Sequence, residues 1–229
     1  MKIAVYSGSF NPLHIGHQTI MEYLTREKEY DWVYLVVSPK NPLKDSISAA
    51  SGESRYEAAG GGGGGRPKLP ITDEAGEAAV KRHPDLHVWV DDIELRMDPP
   101  HYTIKTLDAL KLREPDNDFT LVIGADNLQS IKRWRDFPRI LSEYGVTVYP
   151  RKGFDVEAIR SQLIEECKNL PTPYVLDSEE IVPGGMVSLE DALLRSYNIE
   201  VINAPIVDIS STEIREGLLA GKDMSAYLM

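Results

Sequence analysis

Short apolar runs, rich in β-branched residues, alternate along this chain with segments whose apolar positions recur at helical spacing. The apolar runs predict strands at 2–6, 32–37, 86–90, 119–123, 145–149 and 199–202. The segments between them predict helices at about 16–29, 72–83, 102–113, 154–169 and directly after 209–215. Strands that alternate with helices favour a mostly parallel, doubly wound sheet with helices on both faces, an α/β fold in a single domain over 1–229.

Two stretches depart from this alternation. The sequence at about 45–69 has little periodicity and contains the glycine run 60–65, which satisfies G-x-G-x-x-G without a preceding strand. This stretch is therefore predicted to be a flexible glycine-rich loop and not a dinucleotide-binding turn. The periodicity also weakens over 170–197, where prolines and a glycine pair interrupt it.

The composition is ordinary for a globular protein and restricts the function only broadly. The 229 residues are 42% hydrophobic and 27% charged, with a formal net charge of -11. Such an acidic chain argues against a broad nucleic-acid interface, although a local cluster can still bind a phosphate. Cys167 is the single cysteine, which excludes an internal disulfide framework and fits a reducing compartment. No stretch reaches membrane-spanning length, so we expect a cytoplasmic protein without nucleic-acid or membrane partners.

The opening of the chain carries the first candidate chemistry. The first predicted strand ends in Ser7-Gly8-Ser9, where the glycine allows a ligand to approach the backbone. His14 and His17 follow at a spacing that puts both imidazoles on one face of the first helical turn. Free backbone N–H groups and the positive end of the helix dipole favour an anion there. The histidines therefore indicate a phosphate site; a metal pair is the weaker interpretation, because no cysteine and no obvious third ligand accompany them.

A second candidate anion site lies near the end of the chain, in Ile209-Ser-Ser-Thr-Glu-Ile-Arg215. Ser210 and Glu213 have the spacing of a capping box, in which Ser210 caps the helix and Glu213 reaches back to it. Taken alone, this pattern is that of an ordinary helix start. Arg215 changes the interpretation, because a cation in the first turn opposes the helix dipole unless an anion is bound there. A guanidinium beside free N–H groups suits a polyphosphate.

These two strings resemble a known pair of signatures. Gly8-Ser-Phe-Asn-Pro-Leu-His-Ile-Gly-His17 and the 209–215 string resemble the HxGH and ISSTxIR motifs of the nucleotidylyltransferase superfamily. Within this superfamily, further strings resemble those of the bacterial nicotinate-nucleotide adenylyltransferases. They are Ser38-Pro-Lys-Asn-Pro-Leu-Lys44, His101-Tyr-Thr-Ile-Lys-Thr-Leu107, Ile123-Gly-Ala-Asp-Asn127, Lys132-Arg-Trp134 and Tyr149-Pro-Arg151. The resemblance covers roughly three quarters of the chain, with His101 in place of the usual serine. It does not extend over the glycine run, the last residues or about 154–197, which is predicted to be an insertion atypical of the family.

The resemblance implies a Rossmann-like fold and an adenylyltransferase of NAD biosynthesis, which joins ATP to nicotinate mononucleotide and releases pyrophosphate. It implies that His14, His17 and Arg215 are the catalytic residues. The ATP site that it implies contains these three together with Gly8, Ser9, Phe10, Gly16, Gly124, Asp126, Ile209, Ser210, Ser211 and Thr212.

For the acceptor, the resemblance implies a second set of residues, Lys44, Tyr102, Thr103, Asp126, Trp134 and Arg151. Lys44 and Arg151 would meet the phosphate of the mononucleotide or its neighbourhood, and Trp134 would stack on its pyridine ring. Charged neighbours on both sides of Trp134 indicate a half-exposed indole and not a core residue. Thr103 is placed to cap the 102–113 helix, whose free N–H groups could bind the nicotinate carboxylate and favour the acid over the amide.

The implied reaction needs no general base, because a phosphate monoester with a second pKa near ~6 is already ionised at neutral pH. The protein must instead bring two polyanions together and offset their repulsion. Imidazole and guanidinium donors, a helix N-terminus and Mg²⁺ held mainly by the ATP phosphates would supply this. We expect His17 and Arg215 to stabilise the developing charge.

Three alternatives stay open. Another acceptor, such as phosphopantetheine or a polyol phosphate, would keep the superfamily, and the presence of Trp134, Thr103 and Arg151 together argues against it. A preference for nicotinamide mononucleotide over the acid is only weakly opposed by the sequence. A nucleotide-binding regulatory protein without turnover is opposed by the intact HxGH and ISSTxIR strings. Assembly into a homo-oligomer is also left open.

Overall fold

The computed structural model describes residues 1–38, 54, 56, 86–167 and 197–229. Its strands are β1 (Lys2–Gly8), β2 (Trp32–Val37), β3 (Val88–Asp91), β4 (Asp118–Gly124), β5 (Val146–Tyr149) and β6 (Ile199–Val201). They form one six-stranded sheet in the order β3-β2-β1-β4-β5-β6, and every neighbouring pair is parallel. The predicted parallel α/β sheet is confirmed.

Helices make the connections between these strands. They are α1 (Ile15–Arg26), α2 (Ile93–Arg96), α3 (Thr103–Arg113), α4 (Ala125–Ser130), α5 (Phe137–Arg139), α6 (Val156–Cys167) and α7 (Ser211–Leu219). Short 3₁₀ turns lie at Ile131–Arg133 and Ser225–Tyr227, and a π-helical turn at Ile140–Tyr144. Among the described residues, no helix has both the length and the apolarity to cross a membrane.

Alternation along β1 divides the core into two layers, one on each face of the sheet. Ile3 and Val5 point to the layer that includes the buried residues of α3, α4 and α6. Ala4 and Tyr6 point to the opposite layer, which includes the apolar face of α1. Every residue of β2 is buried, as expected for a strand covered by helices on both sides. The doubly wound arrangement follows from this burial pattern.

The order of the strands creates a switch point at β1. The chain runs outward from β1 through β2 to β3, and then resumes at β4 on the other side of β1. The connections that leave β1 and β4 therefore diverge. In open α/β sheets a ligand crevice forms at this point, outside the carboxyl ends of the strands. The HxGH string leaves β1 here, and 123–127 leaves β4 beside it.

Most predicted elements are confirmed within a few residues. Strand β2 has the predicted bounds, and α3 begins at Thr103, one residue after the predicted start. Helix α1 ends at Arg26, before the predicted end, and Glu29 then takes a φ of 53° that a helix cannot continue. The short turns α2 and α5 were too brief to leave a periodic signal. The glycine run, the 72–83 helix and all of the 45–69 loop except residues 54 and 56 lie outside the described residues.

The predicted insertion at about 154–197 falls partly on described residues. Helix α6 lies between β5 and β6 and buries Leu163 and Cys167 in the core layer on one face of the sheet. This helix therefore forms part of the crossover that the sheet requires. The remainder, 168–196, lies outside the described residues, and the insertion itself stays a prediction.

Candidate active site

His14 and His17 lie at the start of α1 and cap it with their own side chains. His14 is the N-cap residue, and its Nδ1 accepts a hydrogen bond from the Gly16 N–H at 3.1 Å. The Nδ1 of His17 accepts from the N–H of His14 at 3.2 Å, which completes a capping box made of two imidazoles. Their ring centroids are 3.8 Å apart. Because each Nδ1 is an acceptor, the proton of each neutral ring is on Nε2.

The surroundings of the two rings favour the neutral form. Burial, and then the positive charge of Arg151, lowers the pKa of His14 to about 4. Burial, followed by the neighbouring His14 and Arg151, also lowers the pKa of His17 well below its usual value. At neutral pH both rings are therefore uncharged donors. A bound polyphosphate would shift both values upward, since a nearby anion favours the imidazolium.

Close contacts explain why this turn needs glycine and an aromatic residue. A Cβ at Gly16 would lie 3.0 Å from Cε1 and 3.1 Å from Nδ1 of His14, so glycine makes room for the capping ring. Phe10 has a φ of 42° and is buried. Its ring meets His17 edge-on, with centroids 5.2 Å apart. A Cβ at Gly8 would lie 3.0 Å from that same phenyl ring. Phe10 therefore supports His17 with its side chain.

The start of α7 is tied directly to the turn before His14. Ser211 Oγ donates to the carbonyl of Pro12 at 3.1 Å, and Nη1 of Arg215 donates to the carbonyl of Asn11 at 2.5 Å. Nη2 of Arg215 donates to Thr212 Oγ1 at 3.0 Å. The two signatures, separated by most of the chain, thus form one unit.

The capping box predicted at this helix start is only half confirmed. Ser210 is the N-cap residue, and its Oγ accepts from the N–H of Glu213 at 3.2 Å. Glu213, however, does not reach back to the backbone. Its Oε2 accepts from the Ser210 hydroxyl at 2.6 Å, because the same hydroxyl can accept and donate.

A cavity of about 430 Å³ opens between the two signatures and is called here the histidine cavity. Its volume lies within the range of nucleotide-sized ligand sites. Its lining combines both imidazoles, the 204–210 segment and side chains after β4 and β5: Tyr6, His14, Gly16, His17, Ile20, Asp126, Tyr149, Pro150, Arg151, Lys152, Phe154, Ala204, Pro205, Ile206, Val207, Asp208, Ile209, Ser210 and Glu213.

Arg151 and Asp126 form the charged wall of the histidine cavity. Arg151 Nε lies 3.4 Å from Asp126 Oδ1, a buried oxygen without a hydrogen-bond partner in the part of the chain that is described. Burial lowers the pKa of Arg151, but Tyr149 and Asp126 outweigh it, so the net shift is upward. A Cβ at Gly124 would lie 2.4 Å from Asp126 Oδ1. Gly124 therefore leaves space for this pair and does not itself line the histidine cavity.

A second cavity, of about 280 Å³, lies on the other side of the ends of β1 and β4 and is called here the tryptophan cavity. Trp134 is half-buried, as predicted, and lines it at the end of the 3₁₀ turn. The lining residues are Ser7, Gly8, Ser9, Ser38, Glu94, His101, Tyr102, Thr103, Leu121, Val122, Ile123, Asn127, Arg133, Trp134 and Arg135.

Helix α3 opens onto the tryptophan cavity, but not with the predicted cap. Tyr102 is the N-cap residue and its side chain makes no capping bond. Thr103 is the first helical residue, so its hydroxyl does not cap the helix as the sequence predicted. The first bonded N–H of the helix is that of Lys105, which donates to the Tyr102 carbonyl. The N–H groups of Thr103 and Ile104 make no hydrogen bond to the described residues and are therefore open to a ligand.

The structure separates some residues that the sequence grouped. Arg151 was expected near the acceptor but lies in the histidine cavity. Gly8 and Ser9 were expected with ATP but line the tryptophan cavity. Several cavity residues outside the motifs, Tyr6 and Glu94 among them, were missed, since nothing in their local sequence marks them. Ser211, Thr212 and Arg215 brace the turn before His14, and Lys44 lies outside the described residues.

The two cavities meet at one edge of the sheet. Tyr6 lines the histidine cavity, and the next residues of β1, Ser7 and Gly8, line the tryptophan cavity. After β4, Asp126 likewise lines the histidine cavity, and the next residue, Asn127, lines the tryptophan cavity. Two ligands bound in these cavities would therefore have neighbouring ends at the switch point.

Comparisons with known proteins show which family the chain belongs to. Residues 5–217 match the model of the family described as Cytidylyltransferase-like. A probable nicotinate-nucleotide adenylyltransferase of Bacteroides fragilis is 32% identical over 99% of this chain and 87% of that protein. The one of Porphyromonas gingivalis is 32% identical over 100% of this chain and 89% of its own length.

A solved structure shares the fold. The nicotinic acid mononucleotide adenylyltransferase of Plasmodium falciparum, complexed with NaAD, aligns with a TM-score of 0.64. The alignment covers 99% of this chain and 90% of the Plasmodium chain, at 16% sequence identity. The likeness to that structure concerns the fold, whereas the two bacterial relatives are similar in sequence over almost the whole chain. The chain therefore belongs to the cytidylyltransferase-like family and, within it, to the nicotinate-nucleotide adenylyltransferases.

Proposed function

We propose that this chain transfers the adenylyl group of ATP to the phosphate of nicotinate mononucleotide, forming deamido-NAD and pyrophosphate. The observation that carries the proposal is the pair of adjoining cavities, one lined by both nucleotidylyltransferase signatures and the other by Trp134. An enzyme that joins two mononucleotides needs two sites whose phosphate ends meet.

ATP is assigned to the histidine cavity. The neutral imidazoles of His14 and His17 offer Nε2–H donors to phosphate oxygens, and the start of α1 adds its dipole. His17 stabilises the charge that develops as the bond to pyrophosphate breaks. Ile209, Ser210 and Asp126 complete the nucleotide wall.

Arg215 supports this site through the loop that precedes His14. Two of its N–H groups are used, by the Asn11 carbonyl and the Thr212 hydroxyl. A guanidinium has five N–H donors, so others remain for the triphosphate end. We assign Arg215 both to positioning of the 8–12 turn and to charge stabilisation in the transition state.

Nicotinate mononucleotide is assigned to the tryptophan cavity. The indole face of Trp134 suits the pyridine ring, and the unbonded N–H groups at the start of α3 suit its carboxylate. Tyr102 and Thr103 flank that helix start. Arg151 lies beside the histidines, which suits the end of the acceptor where its phosphate meets ATP. Lys44 is assigned to the same phosphate.

The chemical step is an in-line attack by an acceptor phosphate oxygen on the α-phosphorus of ATP. The phosphate is already ionised at neutral pH, so positioning and charge stabilisation suffice. A divalent cation, which we assign as Mg²⁺, would offset the charge of the phosphates when bound with ATP. Among the described residues, no group of three or more histidine, cysteine or acidic side chains could hold a metal. The phosphates of ATP would carry this cation, and the Asp126 carboxylate in the wall of the histidine cavity could contact it as well.

The proposal is tested by product analysis with ATP, Mg²⁺ and nicotinate mononucleotide. We expect deamido-NAD and pyrophosphate to form in equal amounts. ATP binding without release of pyrophosphate would contradict the proposal and favour a nucleotide-binding regulatory protein.

A further inference from the structure

Glu94 is a buried carboxylate in the wall of the tryptophan cavity. It belongs to the single turn of α2, and its side chain is 4% exposed. The hydroxyl of Thr106, itself 1% exposed, donates to its Oε1 at 2.8 Å. One neutral hydrogen bond thus orients a negative charge at the edge of this cavity.

No basic side chain in the described part of the chain forms an ion pair with Glu94. A neighbouring carboxylate shows the contrast, since the equally buried Asp91 is paired with Arg113 at 2.5 Å. Burying a carboxylate without a cation is costly. Within the described residues, Asp91 thus has a cationic partner and Glu94 has none, so a cation bound in the cavity could pair with Glu94.

The acceptor assigned to this cavity carries a suitable charge. In a pyridine mononucleotide the ring nitrogen is bonded to the sugar, so the ring is a permanent cation without an N–H to donate. Such a cation is bound by anions and by aromatic faces. The cavity offers both, in the carboxylate of Glu94 and the indole of Trp134.

We infer that Glu94 is a specificity-determining residue, whose carboxylate selects acceptors that carry an N-substituted pyridinium ring. The same cavity also offers positive charge that suits the carboxylate on the ring. This charge comes from Arg133, Arg135 and the start of α3. An acceptor without a cationic group, such as phosphopantetheine, leaves Glu94 uncompensated. This inference rests on the proposed function and deepens it.

The test compares nicotinate mononucleotide with its neutral isostere, in which a carbon atom replaces the ring nitrogen. In the wild type, we expect kcat/KM for the pyridinium acceptor to exceed that for the isostere by about 10- to 100-fold, the size of a charged interaction. Glu94→Gln keeps the shape and can still accept from Thr106. We expect it to lose most of that preference, by lowering turnover of the pyridinium acceptor and leaving the isostere nearly unchanged.

Asp92→Asn is the matched control. It removes one negative charge two positions away, from a side chain that pairs with Arg96 outside the cavity. We expect this variant to keep the wild-type preference for the pyridinium acceptor.

Each contrary result has a distinct meaning. Absence of wild-type turnover with nicotinate mononucleotide would overturn the proposed function. Wild-type turnover of both acceptors with equal efficiency would overturn only the role of Glu94, and this measurement needs no variant. An equal loss for both acceptors in Glu94→Gln would show that the residue merely supports the fold, which also overturns the inference.

Discussion

The guanidinium of Arg215 donates to the backbone carbonyl of Asn11 at 2.5 Å, across a sequence separation of 204 residues. Asn11 lies in the turn that delivers His14 to the start of α1, so this bond connects the ISSTxIR helix to the HxGH turn. Ser211 adds a second link through the Pro12 carbonyl. The proposed phosphate site therefore lies between two helix starts that hold each other in place.

Replacing Arg215 should damage this connection in graded steps. Arg215→Lys keeps the charge but loses the planar fork, and we expect kcat to fall by about tenfold. Arg215→Ala removes both, and we expect a fall of about 100-fold or more. Arg26→Ala, at the exposed end of α1, is the control and should leave kcat unchanged. Equal activity of wild type and Arg215→Ala in steady-state assays would contradict the connection.

His17 is expected to act mainly in the transition state. His17→Ala should lower kcat by about 100- to 1000-fold, with a smaller change in the KM for ATP, because its donor strengthens as charge develops. Pyrophosphate release measured at saturating ATP separates the two parameters. A variant with near wild-type kcat would show that His17 is not a catalytic residue.

We expect position 16 to require glycine because the His14 ring leaves no room for a side chain, and not because of the backbone conformation. In Gly16→Ala the added methyl would meet the His14 imidazole at 3.0 Å and displace it. We expect affinity for ATP to fall by about tenfold while the melting temperature is kept, since alanine is the better helix former. Isothermal titration and thermal unfolding measure the two effects. Unchanged ATP affinity would mean that the position of the His14 ring is unimportant for binding.

The lowered pKa of His14 predicts acid sensitivity of the ligand-free protein. Its pKa falls from 6.5 to about 4 on folding, because burial and Arg151 disfavour the charged ring. Between those values the unfolded chain binds a proton that the folded chain does not, so stability falls as the pH falls from 6.5 towards 4. The melting temperature should fall less over this window in His14→Gln, which cannot titrate. Parallel curves for the two proteins would contradict the lowered pKa.

The two cavities should respond separately to substitution. Trp134→Ala removes the indole face from the tryptophan cavity, and we expect the KM for the acceptor to rise by about tenfold or more. The dissociation constant for ATP should not change, because Trp134 does not line the histidine cavity. Trp134→Phe keeps an aromatic face and should be intermediate. Equal weakening of both ligands would show that the cavities are not independent.

The sequence predicted those features that depend on local spacing. Strand β2, with apolar residues at every position, was located with its observed bounds. The two candidate anion sites were inferred from residue types near helix starts; the structure places those helix starts at the carboxyl edge of the sheet, and anion binding there stays a prediction. His14 and Ser210 both prove to be N-cap residues.

Features that depend on how separate segments meet could not be predicted. Arg151 and Trp134 are near one another in sequence, but β5 carries Arg151 towards the histidines while the turn after α4 carries Trp134 to the other cavity. In the sequence, Glu94 is an ordinary polar residue. Its place in the site depends on Thr106 of a different helix, which donates a hydrogen bond to it. The hydroxyl of Ser210, by donating to Glu213, replaces the backbone bond that a capping box requires.

The central claim is tested most directly by pyrophosphate release with ATP and Mg²⁺, with nicotinate mononucleotide, nicotinamide mononucleotide and phosphopantetheine compared as acceptors. We expect strong turnover with nicotinate mononucleotide, weaker turnover with the amide and none with phosphopantetheine. Turnover with phosphopantetheine alone would contradict it.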